Sequence, residues 1–254
     1  MRTLMLSSIF AAAAVSAAAQ APPPPDLSPD EIIRKFAARE TEFRKARENY
    51  TYHQSVKMEE LDPGGGVQGK WQIDSDIIFG PNKQREEKVT YAPMITLRNL
   101  TLTPQDEQDL RSVQPFVLTS EDIGKYDIRY VGKQRLDEID CYQFTVKPKT
   151  MVKGERYFEG DIWVDDRDLQ IVKTYGKGVG LLKKNEDNQF PKFETYREQI
   201  DGKYWFPTYT HADDTLHFRN SSQRIRMTVK YENYKRFGAD TSITFGDEVT
   251  DQKK

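Results

Sequence analysis

From residue 50 onward the hydrophobic and polar positions alternate with a period of two, which is typical of β-strands with two different faces. The alternation is clearest in residues 224–231, where Arg, Thr and Lys alternate with Ile, Met, Val and Tyr. Turn signals recur between successive runs, among them Asp62-Pro63-Gly64 and Asp201-Gly202. Short connections between consecutive strands predict an antiparallel meander of about ten strands.

Ahead of the strands, one segment has helical spacing. Ser28 is the expected N-cap, Pro29 the first helical position and Glu31 the partner that completes a capping box. Apolar residues follow at helical spacing as far as Tyr50. The pattern predicts one amphipathic helix of about five turns that includes Tyr50.

The middle of the chain interrupts the strand pattern. Thr103-Pro104 is a second capped helix start, Leu110 and Val113 follow it, and a further helical turn is expected at 120–122. A sheet of about ten strands must curl, split or close. We therefore predict an α+β fold, mainly antiparallel β. It is an incomplete, half-open barrel of about ten to eleven strands, with the N-terminal helix and the middle helices plugging or covering its concave face.

The chain ends are expected to lie outside this domain. Residues 1–21 contain one cation, an apolar run and small residues in A-x-A spacing, as in a secretory signal peptide. Residues 22–28 form a Pro-rich spacer, 29–240 a single domain and 241–254 a polar tail. The protein is expected to be exported, with a periplasmic location, and no later stretch is long and apolar enough to cross a bilayer.

Composition narrows the classes of function. Charged residues make up 31% of the chain and the formal net charge is −2. This balance gives no argument for binding nucleic acid or an anionic membrane surface. Cys141 is the only cysteine, so an internal disulfide is excluded, and we interpret it as a small buried hydrophobe.

Neither of two polar clusters matches a known catalytic or metal-binding motif. The run from His211 to His217 includes Asp213 and Asp214, but its histidine spacing fits no helical metal-binding pair, and we expect turn and edge positions there. The acidic residues at 165–168 lack the Gly and Glu of a calcium loop and are expected to form a hairpin turn. We therefore expect no catalytic residue, metal or cofactor; a hydrolase of a cell-envelope component is a weaker alternative.

The hairpin around Asp201-Gly202 allows a more detailed prediction. With those two residues as the turn, Arg197 would lie opposite Phe206. Pro207 has no N–H to donate, so it belongs at an edge, a bulge or a strand end. Aromatic residues on consecutive positions suggest a rim strand that is apolar on both faces.

Three stretches resemble a known family. "GDIWVDDRDLQIVKTYG" (160–176) is similar to a hairpin of bacterial periplasmic proteins related to the lipoprotein carrier LolA. "DGKYWFPTYTHADDTLHF" (201–218) and "VKYENYKRF" (229–237) resemble the closing strands of outer-membrane lipoprotein-sorting proteins. The resemblance implies an incomplete barrel around helices, with an apolar cavity under a helical lid. LolA carries lipoprotein acyl chains, and RseB-type sensors share its fold; the carrier's lid-latching arginine has no assigned counterpart here.

We accordingly predict an exported envelope protein that binds lipid or lipoprotein acyl chains in an apolar cavity without catalysis. Its alternative is a sensor or protein-interaction module with a filled core, whose partner is another envelope protein. No nucleic acid is expected as a partner. The predicted cavity walls are Ile32, Phe36 and Phe43 on the helix and Ile162, Val164, Ile171, Phe206, Met227 and Val229 on the strands.

Overall fold

A computed structural model describes residues 27–80, 83–181 and 189–236 of the 254-residue chain. The predicted signal peptide, the C-terminal tail and all but the last two residues of the Pro-rich spacer lie outside the described residues.

The described strands form a single antiparallel sheet. In sheet order they follow β3-β2-β1-β10-β9-β8-β7-β6-β5-β4, so β3 and β4 are the two edges. Their bounds are β1 Tyr50–Leu61, β2 Val67–Phe79, β3 Arg85–Tyr91, β4 Tyr126–Leu136, β5 Ile139–Pro148, β6 Tyr157–Asp165, β7 Ile171–Val179, β8 Phe193–Gln199, β9 Trp205–His217 and β10 Ser222–Arg236. Because no pairing joins β3 to β4 in this sheet, the structure confirms the predicted half-open barrel.

One long helix, α1 (Pro29–Arg47), packs against the inner face of the sheet. Ser28 and Glu31 form the predicted capping box at its start. The helix ends earlier than expected, and Tyr50 is instead the first residue of β1. The Asn49 side chain donates to the Ala46 carbonyl at 3.3 Å and so satisfies part of the helix C-terminus.

The middle segment covers part of the inner face. Helix α2 (Pro104–Gln108) begins at Thr103, which forms a capping box with Asp106, as its sequence predicts. A π-helical turn (Asp109–Val113) continues it, and a 3₁₀ turn (Ile123–Lys125) precedes β4. We refer to residues 99–125 as the cover.

The hairpin between β8 and β9 differs from the prediction. Residues 200–204 connect the strands, and Arg197 pairs with Pro207 where Phe206 was expected. The two-residue turn fails because the Asp201 carboxylate accepts the N–H groups of Lys203 and Tyr204, both at 3.1 Å, and so stabilises a longer loop. The pairing shifts at Pro207, which confirms its predicted place at an irregularity.

Strand β9 is longer than the sequence suggested. It continues through Asp213 and Asp214 to His217, residues that we expected in a turn or at an edge. Asp213 pairs in register with Arg226 of β10, and its carboxylate lies 3.4 Å from that guanidinium and 3.0 Å from that of Arg224. Cross-strand charge pairing thus keeps the acidic stretch in the sheet.

Candidate functional site

The nine predicted wall residues all lie in the protein interior. Each is at most 2% exposed. Ile32, Phe36, Ile162, Val164, Ile171 and Met227 belong to the main core cluster, Phe43 and Phe206 pack with Tyr50, and Val229 lies in the cluster of Tyr52 and Tyr231. They are the packed interface between α1, the cover and the sheet, and none of them lines the cavities described below. Their contact with a ligand stays a prediction.

An open cavity of about 250 Å³ lies where the cover meets the ends of β1, β9 and β10. Met58, Leu216 and Ile225 form its inner side and are also part of the main core cluster. Leu100 and Leu102 of the cover lie across from them and pack against the same cluster. We call this space the mouth cavity, because its apolar wall continues into the core. The remaining lining residues are Asn99, Thr101, Thr103, Asp106, Gln189, Pro191 and Phe218.

Sequence reasoning missed the mouth cavity. Ile225 lies two positions before Met227 on the same face of β10, so the alternation would have placed it on the inner side. Leu100 and Leu102 lie in irregular chain just before the α2 cap, outside any predicted strand or helix. The signal that could have found them is their alternation with Asn99, Thr101 and Thr103.

A single carboxylate holds the start of the cover. Glu60 on β1 is fully buried and accepts the backbone N–H groups of Arg98, Asn99 and Leu100, each at 2.8 Å. The Asn99 side chain also donates to Gln223 at 2.8 Å. Backbone donors aimed at one ionised group give strong, directional hydrogen bonds, which fix this edge of the mouth cavity.

The middle of the cover is held by polar contacts with β8 and with the residue that precedes β6. Asp109 accepts two hydrogen bonds from Arg156, at 2.8 and 2.6 Å, and burial raises the pKa of this carboxyl although Arg156 opposes the rise. Further on, Thr195 donates to the Gln114 carbonyl at 3.0 Å.

A buried ion pair connects α1, the sheet and the cover. Glu40 of α1 lies 3.0 Å from Arg197 of β8, and both side chains are at most 1% exposed. Glu40 also accepts the Ile171 N–H at 3.1 Å, while Arg197 donates to the Phe116 carbonyl. Burial raises the pKa of Glu40, and Arg197 and the Ile171 amide oppose the rise. The guanidinium keeps its charge, as arginines in proteins do.

Hydrogen bonding between the cover and the sheet is incomplete. The Gln114 side-chain amide donates at 3.4 Å to the Met227 sulfur, which is a weak acceptor, and the Oε1 atom of Gln114 is buried with no hydrogen-bond partner among the described residues. Unpaired buried polar atoms are costly and uncommon, so this contact is less stable than an apolar one of the same size. A π-helical turn in the same segment is a feature often found at functional sites.

The polar clusters singled out in the sequence have structural roles. Asp165 accepts the N–H groups of Arg167 and Asp168 at 2.6 and 2.7 Å and so shapes the β6–β7 turn. The His211 ring stacks on Tyr209, with centroids 6.2 Å apart. Within residues 27–80, 83–181 and 189–236, no three His, Cys, Asp or Glu side chains are grouped to hold a metal ion. Burial raises the pKa of the Cys141 thiol to about 12, which disfavours a nucleophilic thiolate.

A second cavity, of about 680 Å³, lies on the outer face of the sheet. Tyr196, Trp205 and Tyr209 of β8 and β9 line it together with Leu136 and Ile139 of the β4–β5 hairpin. We call it the outer groove. Its aromatic lining explains the consecutive aromatic positions of β9, since one face packs inward through Phe206 and the other lines this groove.

Comparisons with known proteins return structures and no sequence relatives. No protein-family model matches the sequence, and no curated protein matches it. The chain is similar to a DUF1329 family protein from Desulfovibrio piger, with 13% identity, 85% of this chain and 95% of that chain covered and a TM-score of 0.38.

Two further solved structures are similar. One is a putative outer membrane lipoprotein-sorting protein domain from Vibrio parahaemolyticus, with 12% identity, coverage of 83% and 94%, and a TM-score of 0.36. The other is a LolA superfamily protein from Nitrosomonas europaea, with 11% identity, coverage of 81% and 92%, and a TM-score of 0.34. These are the kinds of protein that the sequence motifs resemble, and at these identities the likeness concerns the fold alone.

Proposed function

We propose that this is an exported, periplasmic envelope protein that binds an acyl chain of a lipid or lipoprotein between the inner face of its sheet and the cover. The observation that carries the proposal is the mouth cavity. Its apolar wall, formed by Met58, Leu216 and Ile225, belongs to the core cluster that contains most of the predicted wall residues. An acyl chain that enters there therefore meets apolar side chains further in.

Binding of a long chain requires the cover to move. The mouth cavity holds about 250 Å³, which is below the roughly 300–1,000 Å³ of pockets that bury drug-sized ligands. Each methylene that leaves water contributes about 0.8 kcal/mol, so a chain that replaces the cover on the inner face gains more with every carbon. The unpaired side-chain oxygen of Gln114 lowers the free energy needed to open this contact.

The arrangement needs no chemical step. Phe36, Ile162 and Met227 would bind the chain by contact area when the cover opens, and the methionine side chain adapts to ligands of different shape. The polar rim of the mouth cavity, which includes Asn99 and Thr103, would remain near the polar end of the ligand.

A fluorescent fatty acid tests the proposal in solution. We expect saturable binding to the native protein, and Leu102→Asp should weaken it at least tenfold because it places a charge in the mouth cavity. Leu136→Asp is the matched control, since Leu136 is also a half-buried leucine but lines the outer groove. The proposal fails if the native protein shows no saturable binding or if both variants lose affinity equally.

The hydrogen bonds between Glu60 and the start of the cover provide a second test of the same proposal. Glu60→Gln removes the charge that accepts three backbone N–H groups, so residues 98–100 should exchange their amide hydrogens faster. If the cover is the gate, this variant should also take up the fatty acid faster. If amide exchange is faster but the rate of fatty-acid uptake is unchanged, the start of the cover does not control entry of the ligand.

One observation favours the alternative function, a sensor or interaction module. All nine predicted wall residues are buried among the protein's own side chains, as expected for a filled core. In that case a partner protein would bind elsewhere, and the aromatic outer groove is the candidate surface. Fatty-acid binding that is absent from every variant, including Glu60→Gln, would favour this function.

A further inference from the structure

The sheet edge formed by β3 and the chain after it carries a run of exposed apolar side chains. Met94 is 88% exposed, and Ile95, Tyr91 and Val89 are each more than half exposed. We call these four residues the apolar edge. Exposed apolar side chains grouped along one edge mark a surface that contacts a protein or a membrane.

The apolar edge is directly connected to the mouth cavity. After β3 the chain follows β2, because the Thr96 N–H donates to the Lys70 carbonyl and the Lys70 N–H donates to the Thr96 hydroxyl, both at 2.9 Å. Glu60 then fixes residues 98–100, and Leu100 and Leu102 line the cavity. Leu102 is eight positions after Met94, which limits the distance between their Cα atoms to at most about 29 Å.

The charge of this segment differs from that of the whole protein. From Lys88 to Gln105 the chain has two cations and no acid, although its overall formal charge is −2. Lys70, on the neighbouring strand, adds a third cation. Within the described part of the chain, none of the three cations, Lys70, Lys88 and Arg98, forms an ion pair.

Two acids of β2 lie beside this edge: Asp74 pairs with Tyr91 and Asp76 with Lys88, and their carboxylates contact Ser55 and His53 respectively. The acids nearest to Met94 in the sequence lie at the other end of β3. Glu86 and Glu87 precede Lys88, and Glu87 is already engaged by Arg85 and Ser75, both at 2.9 Å. Their negative charge is therefore separated from Met94 and Ile95 by most of the strand.

We propose that the apolar edge docks on the surface of an anionic lipid bilayer. Met94 and Ile95 enter the boundary between headgroups and acyl chains, and Tyr91 lies at the polar interface that its amphipathic ring favours. Lys88 and Arg98 face anionic headgroups. Docking in this orientation places the mouth cavity near the membrane surface. The docking itself is independent of the acyl-chain site, whereas its use in loading a chain rests on the proposed function.

Vesicle co-sedimentation tests the docking. The native protein should bind phosphatidylcholine vesicles that contain phosphatidylglycerol and should bind pure phosphatidylcholine vesicles more weakly, with the difference reduced by salt. Met94→Asp should reduce binding at least tenfold. Lys88→Glu should reduce it at least about fivefold, since each cation near an anionic surface changes partitioning by about that factor. Val131→Asp is the matched control, because Val131 is an exposed apolar residue on β4, the opposite edge of the sheet.

A fluorescent label provides a second readout that does not depend on affinity. Cys141 is the only cysteine, and it is buried with its thiol pKa raised to about 12, so it should not react. Met94→Cys therefore accepts an environment-sensitive label at one position. Its emission should shift to the blue when anionic vesicles are added, and a label at Val131→Cys should not shift.

Three results would overturn the proposal. They are absence of vesicle binding, equal loss in Met94→Asp and Val131→Asp, and self-association without vesicles that Met94→Asp abolishes. The last result would assign the apolar edge to a second copy of the chain, which could pair with the free edge of β3. Vesicle binding by a protein that does not bind the fatty-acid probe would support the docking and contradict the acyl-chain site.

Discussion

Arg197→Met removes the charge that balances Glu40 in the interior. The two side chains lie 3.0 Å apart and are at most 1% exposed, so the variant leaves a buried carboxylate without its partner. Removing one member of a buried pair costs about 3–5 kcal/mol, because the remaining charge keeps its desolvation penalty. For a domain of this size we expect the Tm to fall by about 6–20 °C, at about 2–4 °C per kcal/mol. The lost hydrogen bond to the Phe116 carbonyl acts in the same direction.

The loss should depend on pH with a defined sign. Burial already raises the pKa of Glu40, and the variant removes Arg197, which opposes that rise. A carboxyl with a raised pKa in the folded state stabilises the fold below its unfolded pKa of about 4.3, and this contribution disappears as the pH rises through the folded value. The variant should therefore be closer to native stability at pH 5 than at pH 8, as measured by urea unfolding.

A second pair on the same helix is the control. Arg39 and Glu42 lie 3.1 Å apart with about half of each side chain exposed, so Arg39→Met should cost at most about 1 kcal/mol. A cost for Arg197→Met no larger than that for Arg39→Met, or a deficit that does not grow with pH, would contradict a stabilising role for the buried charge pair.

Two further predictions concern the cover. Asp122 is partly buried, which raises its pKa, but hydrogen bonds from Thr119 and Lys125 outweigh this and hold the pKa below its usual value. The Asp122 carboxylate therefore stabilises the fold above a pH of about 4, and this stabilisation is lost as the pH falls through the lowered pKa. In thermal unfolding, the loss of stability in Asp122→Asn should be largest at pH 6 and should shrink as the pH is lowered. The added methyl group of Gly178→Ala would overlap the Asp109 carboxylate and should cost about 1–3 kcal/mol in urea unfolding. Gly124→Ala should cost less, because its methyl group would meet no atom of a non-neighbouring described residue within 4 Å. Equal costs would contradict the close packing of the cover.

Local patterns allowed much of the fold to be predicted. The strand-like runs at 50–61, 67–79 and 126–136 have the same bounds as β1, β2 and β4. The capping boxes of α1 and α2 begin where Ser28-Pro29 and Thr103-Pro104 indicated. The β8–β9 register was wrong because it depends on hydrogen bonds to the Asp201 side chain and on the shift at Pro207. The rule that places Asp-Gly in a two-residue hairpin turn accounts for neither the side-chain hydrogen bonds nor the register shift.

The site was harder to predict for a different reason. Alternation assigns Ile162 or Met227 to the inner face, but it does not show how much of the enclosed space α1 and the cover occupy. The structure fills that space, so the open cavity is displaced to residues of the cover and the strand ends. The net charge of the chain did not indicate a local cationic segment, because it averages the acid-free run from Lys88 to Gln105 with the rest of the chain.

Under the proposed function, an acyl chain occupies the inner face beneath the cover. Native mass spectrometry tests it most directly, on protein taken gently from its own envelope and measured again after extraction with organic solvent. We expect extra mass that disappears on extraction and is identified as a fatty-acyl species, and less of it on the Leu102→Asp variant than on the Leu136→Asp control. A bare-chain mass before and after extraction, together with no fatty-acid binding by the native protein, would contradict the claim.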